Sequence, residues 1–374
     1  MLARSHARPS AGAPQAAFAG ARGTWGDLEC ERVVLEVPDE FISDKLLSTD
    51  ERDWFLPNDS HKQFLTQLSS FDLTSEQRAV LQDGSNWRSA TNGYFFSAES
   101  RLLLTLSPRA RQQIYALLAV SPHNVYQHNP FSFHVETIEE RFADCGLPPE
   151  TLVIVKSLLY QRGQSLCFSD LPVFDDLPVS DRRRLLKTLT RIPVVFMKLH
   201  LTPQSNVEAL VNYWGKMGNA KHIKPLLERL VKTPNGTTID IAHLLPPFAR
   251  ERLFTFPSPS PTREWERLDC FWTTMNFFRD QPDDQVARVD YTFNAIKKDY
   301  YEIESDRHFG DMVALVGADG KVKHVCIYVA DDVVFTKNGG HYLQPWALMK
   351  IPDVVAKYPA EPPMQMVVLR SNKG

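Results

Sequence analysis

Apolar positions in the first two thirds of the chain recur mostly at helical spacing. Ile114, Leu117 and Leu118 line up on one helix face. Ser107-Pro108 precedes them, a hydroxyl able to accept from free N–H groups followed by a residue with a pre-set φ. That pair predicts a helix start. Thr74-Ser75-Glu76-Gln77 has the form of a capping box, and Ser205 with Glu208 forms a second, leading into Leu210, Val211 and Trp214. An amphipathic run over 223–231 closes at Thr233-Pro234-Asn235-Gly236, a stop signal. Strand-like alternation is sparse here, with 194–201 the clearest stretch. Residues 26–255 therefore read as a mostly helical region of unassigned role.

The texture changes after 257–261, Pro-Ser-Pro-Ser-Pro, which can be neither helix nor central strand. This segment predicts a domain boundary, with a second domain over 256–374. That domain opens with a helical run over 269–278. Apolar stretches at 312–316, 322–329 and 333–336, separated by Ala318-Asp319-Gly320 and Asp331-Asp332, predict a three-stranded antiparallel meander. Residues 345–358 suit a short helix and 364–369 a last strand. Helix followed by antiparallel sheet is an α+β pattern.

Composition narrows the function classes. Hydrophobic residues make up 43% and charged residues 23%, which is the profile of a packed globular protein. Net charge is −3, from 42 basic and 45 acidic side chains, so electrostatics give no reason to expect a nucleic-acid partner. No run approaches the ~20 apolar residues needed to span a bilayer. The first 25 residues contain Arg4, Arg8 and Arg22, many alanines and no acid, and read as a disordered tail. Ala17-Phe18-Ala19 has a small-x-small form, but no apolar stretch precedes it. There is thus no clear signal peptide, and export or a cell-envelope location stays open. Five cysteines, an odd number without a CxxC pair, exclude a disulfide framework and a zinc knuckle.

Thiol catalysis needs a thiolate, a base beside it, and a polar group to orient the base. Cys270 falls in the first turn of the 269–278 helix, after Asp269 as N-cap, where the helix dipole and free N–H groups favour a thiolate. His324 lies on the second strand of the meander. By alternation it shares a face with Cys326 and Tyr328, while Val325, Ile327 and Val329 point the other way.

Asp269-Cys270 before an apolar helix, then Gly310-Asp311-Met312-Val313, then His324-Val325-Cys326-Ile327-Tyr328, resembles the NlpC family of cell-wall cysteine peptidases. The resemblance covers about the last third of the chain. It implies a papain-like domain with a helix packed on an antiparallel sheet, and a cysteine-dependent amide hydrolase. Cys270 is then nucleophile and His324 base, with no metal or organic cofactor. The implied substrate is a peptide or peptidoglycan-like amide, typically a peptidoglycan stem peptide in a bacterial wall. The family's third polar residue falls on Thr336 by spacing. Asn338 shares the parity of Thr336 and precedes Gly339-Gly340, where the chain can bend back over the ring, so it competes for the same role. Lys337, of opposite parity, is expected to point away. Phe271 and Trp272 replace the family's small residues after the cysteine, and Cys326 replaces a glycine.

Asp144-Cys145-Gly146-Leu147 imitates the cysteine motif, but Pro148-Pro149 prevents a helix from starting at that thiol. Two other functions fit the pattern. One is a non-catalytic binding or scaffold protein that keeps the fold. The other is a thiol acyltransferase, disfavoured because the cysteine precedes the histidine.

Overall fold

The computed structural model describes residues 22–43, 46 and 53–373, with the backbone of two short strands at Arg4–His6 and Phe18–Ala19. Most of the tail expected over 1–25 lies outside the described residues. The chain divides into two units. Unit 1 comprises Met1–Phe41, Arg191–Val355 and Met364–Gly374; unit 2 comprises Ile42–Thr190 and Ala356–Pro363.

The division does not fall at 256. Strand β1 (Asp27–Leu35) pairs antiparallel with β2 (Ile192–Leu201) along nearly its whole length, from Leu35 opposite Ile192 to Asp27 opposite His200. The buried side chains of β2, Val195, Met197 and Leu199, share one core with Ile327, Val333 and Phe335 from the chain's last third. Shared apolar burial therefore binds 191–255 to 256–355 and overrides the proline signal. The proline segment is an edge. Among the described residues Thr255–Pro257 pairs only with Arg4–His6, which suits a residue lacking an N–H.

In unit 1, α1 (Val207–Trp214) and α2 (Ala220–Leu230) follow β2, and β3 (Thr237–Asp240) pairs on its free side. The N-cap of α1 is Asn206, whose Oδ1 accepts from the Ala209 N–H at 3.0 Å. Ser205, expected to cap, instead accepts from the Thr202 N–H at 2.9 Å. Next come α3 (Cys270–Asn276), α4 (Val289–Asp299) and β4 (Tyr300–Ile303). The strands β5 (Met312–Val316), β6 (Val322–Ala330) and β7 (Val333–Lys337) form the expected meander. The chain ends with β8 (Trp346–Lys350), α5 (Ile351–Val355) and β9 (Gln365–Ser371). These strands make a six-stranded antiparallel sheet ordered β4-β9-β5-β6-β7-β8. The window 345–358 does hold the expected short helix, α5, but its first part forms β8, whose residues Trp346 to Met349 are buried without alternation.

Unit 2 is mixed, which corrects the mostly helical reading of 26–255. It holds two three-stranded antiparallel sheets, one of Asp53–Pro57, Gly93–Ser97 and Trp87–Ala90, the other of Phe131–His134, Ser165–Phe168 and Tyr160–Arg162. Among its helices, Ser75–Gln82 has its capping box formed by Thr74 and Gln77, and Ser107 caps Pro108–Leu118. The buried Arg111 donates to Asp170 at 2.8 Å, and Tyr115 donates to the same carboxylate. Cys145 is buried against Phe142 and Leu147, and the next helix starts only at Pro149. Both units are therefore α+β.

Candidate functional site

Asp269 is extended, and its Oδ1 accepts from the Trp272 N–H at 2.8 Å, so α3 starts with Cys270 in its first position. Three contacts fix the helix on the six-stranded sheet. Phe277 meets Phe335 with ring centroids 5.3 Å apart. Trp346 Nε1 donates to Thr273 Oγ1 at 2.9 Å. Cys270 packs with Met312, Ala314 and Val325. Ala314 stands opposite Val325, and Ile327 opposite Phe335. Residues directly opposite in antiparallel strands share a face. The face under α3 is therefore that of Met312, Ala314, Val325, Ile327, Phe335 and Lys337.

His324 belongs to the other face. It pairs with Leu315 in an unbroken register with Val325, so its side chain leaves the strand away from α3. There its Nε2 lies 2.9 Å from Thr336 Oγ1, and that hydroxyl is 3.5 Å from Asn338 Oδ1. The alternation expected along β6 holds, but the helix covers the opposite face from the one assumed. The structure thus brings His324, Thr336 and Asn338 together and sets Cys270 across the sheet from them. Thr336 is the group next to the imidazole, with Asn338 behind it. Burial pushes the imidazole pKa down to about 3.

Lys337 is the residue that the sequence reading turned away from the site. It shares the α3 face with Cys270 and is fully buried. Its Nζ donates to the carbonyls of Gly339 at 2.7 Å and His341 at 3.1 Å. Burial lowers its pKa to about 7, while the charges of Asp269 and Cys270 pull it upward. A neutral amine that donates both N–H bonds keeps a lone pair as its remaining function. Burial and the Asp269 charge raise the Cys270 thiol to about 12, whereas the Val325 and Phe271 N–H groups and Lys337 act to lower it. Burial also raises Asp269, against the Trp272 N–H. The parity shared by Phe335 and Lys337 was the available signal for this pair.

The Gly-Asp pair anchors the start of β5. Gly310 has φ +96°, and a Cβ there would lie 2.6 Å from the Phe278 ring. Asp311 accepts from the His308 N–H at 2.6 Å and from Arg370 Nε and Nη2, both at 2.8 Å. Cys326 lies on the His324 face with its sulfur 3.7 Å from the Val313 carbonyl.

Among the described residues, no group of three His, Cys, Asp or Glu could hold a metal ion, and no helix is long and apolar enough to cross a membrane. No family model, curated protein or solved structure matches the chain.

Proposed function

We propose that this chain is a thiol-dependent amide hydrolase on a papain-like, NlpC-like scaffold, in which Lys337 rather than His324 serves as base to Cys270. The observation that carries this reading is the burial of an amine near its neutral form on the same sheet face as a helix N-terminal cysteine. In the proposed reaction the Lys337 lone pair takes the Cys270 proton, and the thiolate attacks the amide carbonyl. Backbone N–H groups at the start of α3 hold the oxyanion. The tetrahedral intermediate collapses, its C–N bond breaks, and the Lys337 ammonium returns the proton to the departing amine. Water, deprotonated by the same amine, then cleaves the thioester and restores the thiol. Peptide amides, peptidoglycan stem peptides first among them, are the substrate class to try.

A second reading has its own support. Cys270 is only 6% exposed and its pKa is pushed to about 12, as in a structural thiol of a non-catalytic binding protein. Iodoacetamide modification, followed by peptide mass analysis across pH 5–9, separates the two. The hydrolase reading expects Cys270 to react faster than Cys30, Cys167 and Cys326, with a rate that rises near pH 7 and collapses in Lys337→Met. A Cys270 as slow as the other three overturns it and leaves the binding reading. Mass analysis of fragments released from purified peptidoglycan then tests the substrate.

A further inference from the structure

Unit 1 contains a cavity of about 750 Å³ at the C-terminal end of α3, between α4 and the start of β5. Cys270 is not among its lining residues. We infer that this cavity is a binding site for a small organic anion with an apolar, ring-bearing body. The inference does not rest on the hydrolase reading.

Three features select that ligand. The first is Thr274, which is 3% exposed and lines the cavity. A mid-helix threonine ordinarily returns its hydroxyl to the carbonyl one turn back, yet Thr274 Oγ1 has no hydrogen-bond partner. A buried unpartnered hydroxyl costs stability; its oxygen is covered in this structure, and a turn about χ1 would present it to a polar ligand atom in the cavity. The second is the charge pattern. Arg370 is neutralised by Asp311, Lys373 by Asp299, and Arg279 faces Asp283. Lys216 lines the same cavity, and among the described residues its ammonium has no carboxylate within ion-pair distance. Among the described residues the lining therefore keeps one uncompensated positive charge. The third is the wall, where Phe278, Tyr291 and Phe309 offer ring surfaces that favour a flat apolar body. The volume is that of a small-molecule site, not of a packing defect.

The test uses the full chain and two dyes of one shape, anionic 8-anilino-1-naphthalenesulfonate and neutral N-phenyl-1-naphthylamine, each titrated by fluorescence. The expected result is saturable one-to-one binding of the anion, lost in Ala295→Trp, which fills the cavity. In Lys216→Met the anion should weaken by about fivefold, the scale of one partly exposed ion pair, with the neutral dye unchanged. Binding that survives Ala295→Trp would mean the dye sits elsewhere and overturns the proposal. Equal responses of the two dyes to Lys216→Met overturn the anion assignment. Because Lys216 is half-exposed, that arm stands even if the tryptophan variant does not fold.

Discussion

His324 Nε2 lies 2.9 Å from Thr336 Oγ1, on the face of the six-stranded sheet that α3 does not cover. Both residues are buried, so loss of the hydroxyl leaves a ring nitrogen short of its partner. Thr336→Val should cost about 1–3 kcal/mol of stability, the range for stranding a buried polar group. Thr336→Ser, which keeps the oxygen, should cost less. Urea unfolding of the two variants checks this, and equal losses would show that the hydroxyl adds nothing.

The same imidazole makes the protein acid-sensitive. Its pKa falls from 6.5 to about 3 on folding. Between those values the unfolded chain binds a proton that the folded chain refuses, so stability falls as pH falls through that window. The loss from this group approaches about 1.4 kcal/mol per pH unit. Urea midpoints at pH 7 and pH 4.5 should therefore differ more in the wild type than in His324→Gln.

Lys337 follows the same rule in a higher window. Its pKa falls from 10.5 to about 7 on folding, so the unfolded chain holds the extra proton between those values and stability rises with pH there. Lys337→Met removes this dependence. Relative to wild type, the variant should gain up to about 1.4 kcal/mol for each pH unit descended from 10 toward 7. A pH-independent difference would mean that the amine is not buried as described.

Asp269 is both cap and neighbouring charge. Asp269→Asn keeps an acceptor for the Trp272 N–H, whereas Asp269→Ala loses it and should cost about 1 kcal/mol. Either change removes a negative charge that raises the Cys270 pKa, so both should speed alkylation of that thiol at pH 8. Slower alkylation in Asp269→Asn would contradict this account of the site's electrostatics.

Strand limits and parity were readable because β5, β6 and β7 are joined by turns with strong local chemistry, such as Asp331 at φ +55°. Which face meets the helix was not readable. Along β6, Val325, Ile327 and Val329 are as buried as Cys326 and Tyr328, so the pattern names two faces without ranking them. The ranking comes from long-range contacts such as Phe277 on Phe335. Unit 2 was misjudged for another reason. Strands such as Trp87–Ala90, buried only at Trp87, are too short to show a period against the helices around them. The domain limit was missed because proline reports on local backbone, while the β1–β2 ladder is set by residues far apart in sequence.

That ladder imposes an order of events on biosynthesis. Leu35 waits for Ile192, so β1 leaves the ribosome long before its partner exists. The shared core needs Phe335 as well, near the end of the chain. Unit 1 therefore has high contact order and matures late, with an unpaired apolar strand exposed during synthesis. A premature stop before Ile192 would release that strand without its partner and without the side chains of 195–348 that share its core, making such truncated products more prone to aggregate than the intact protein.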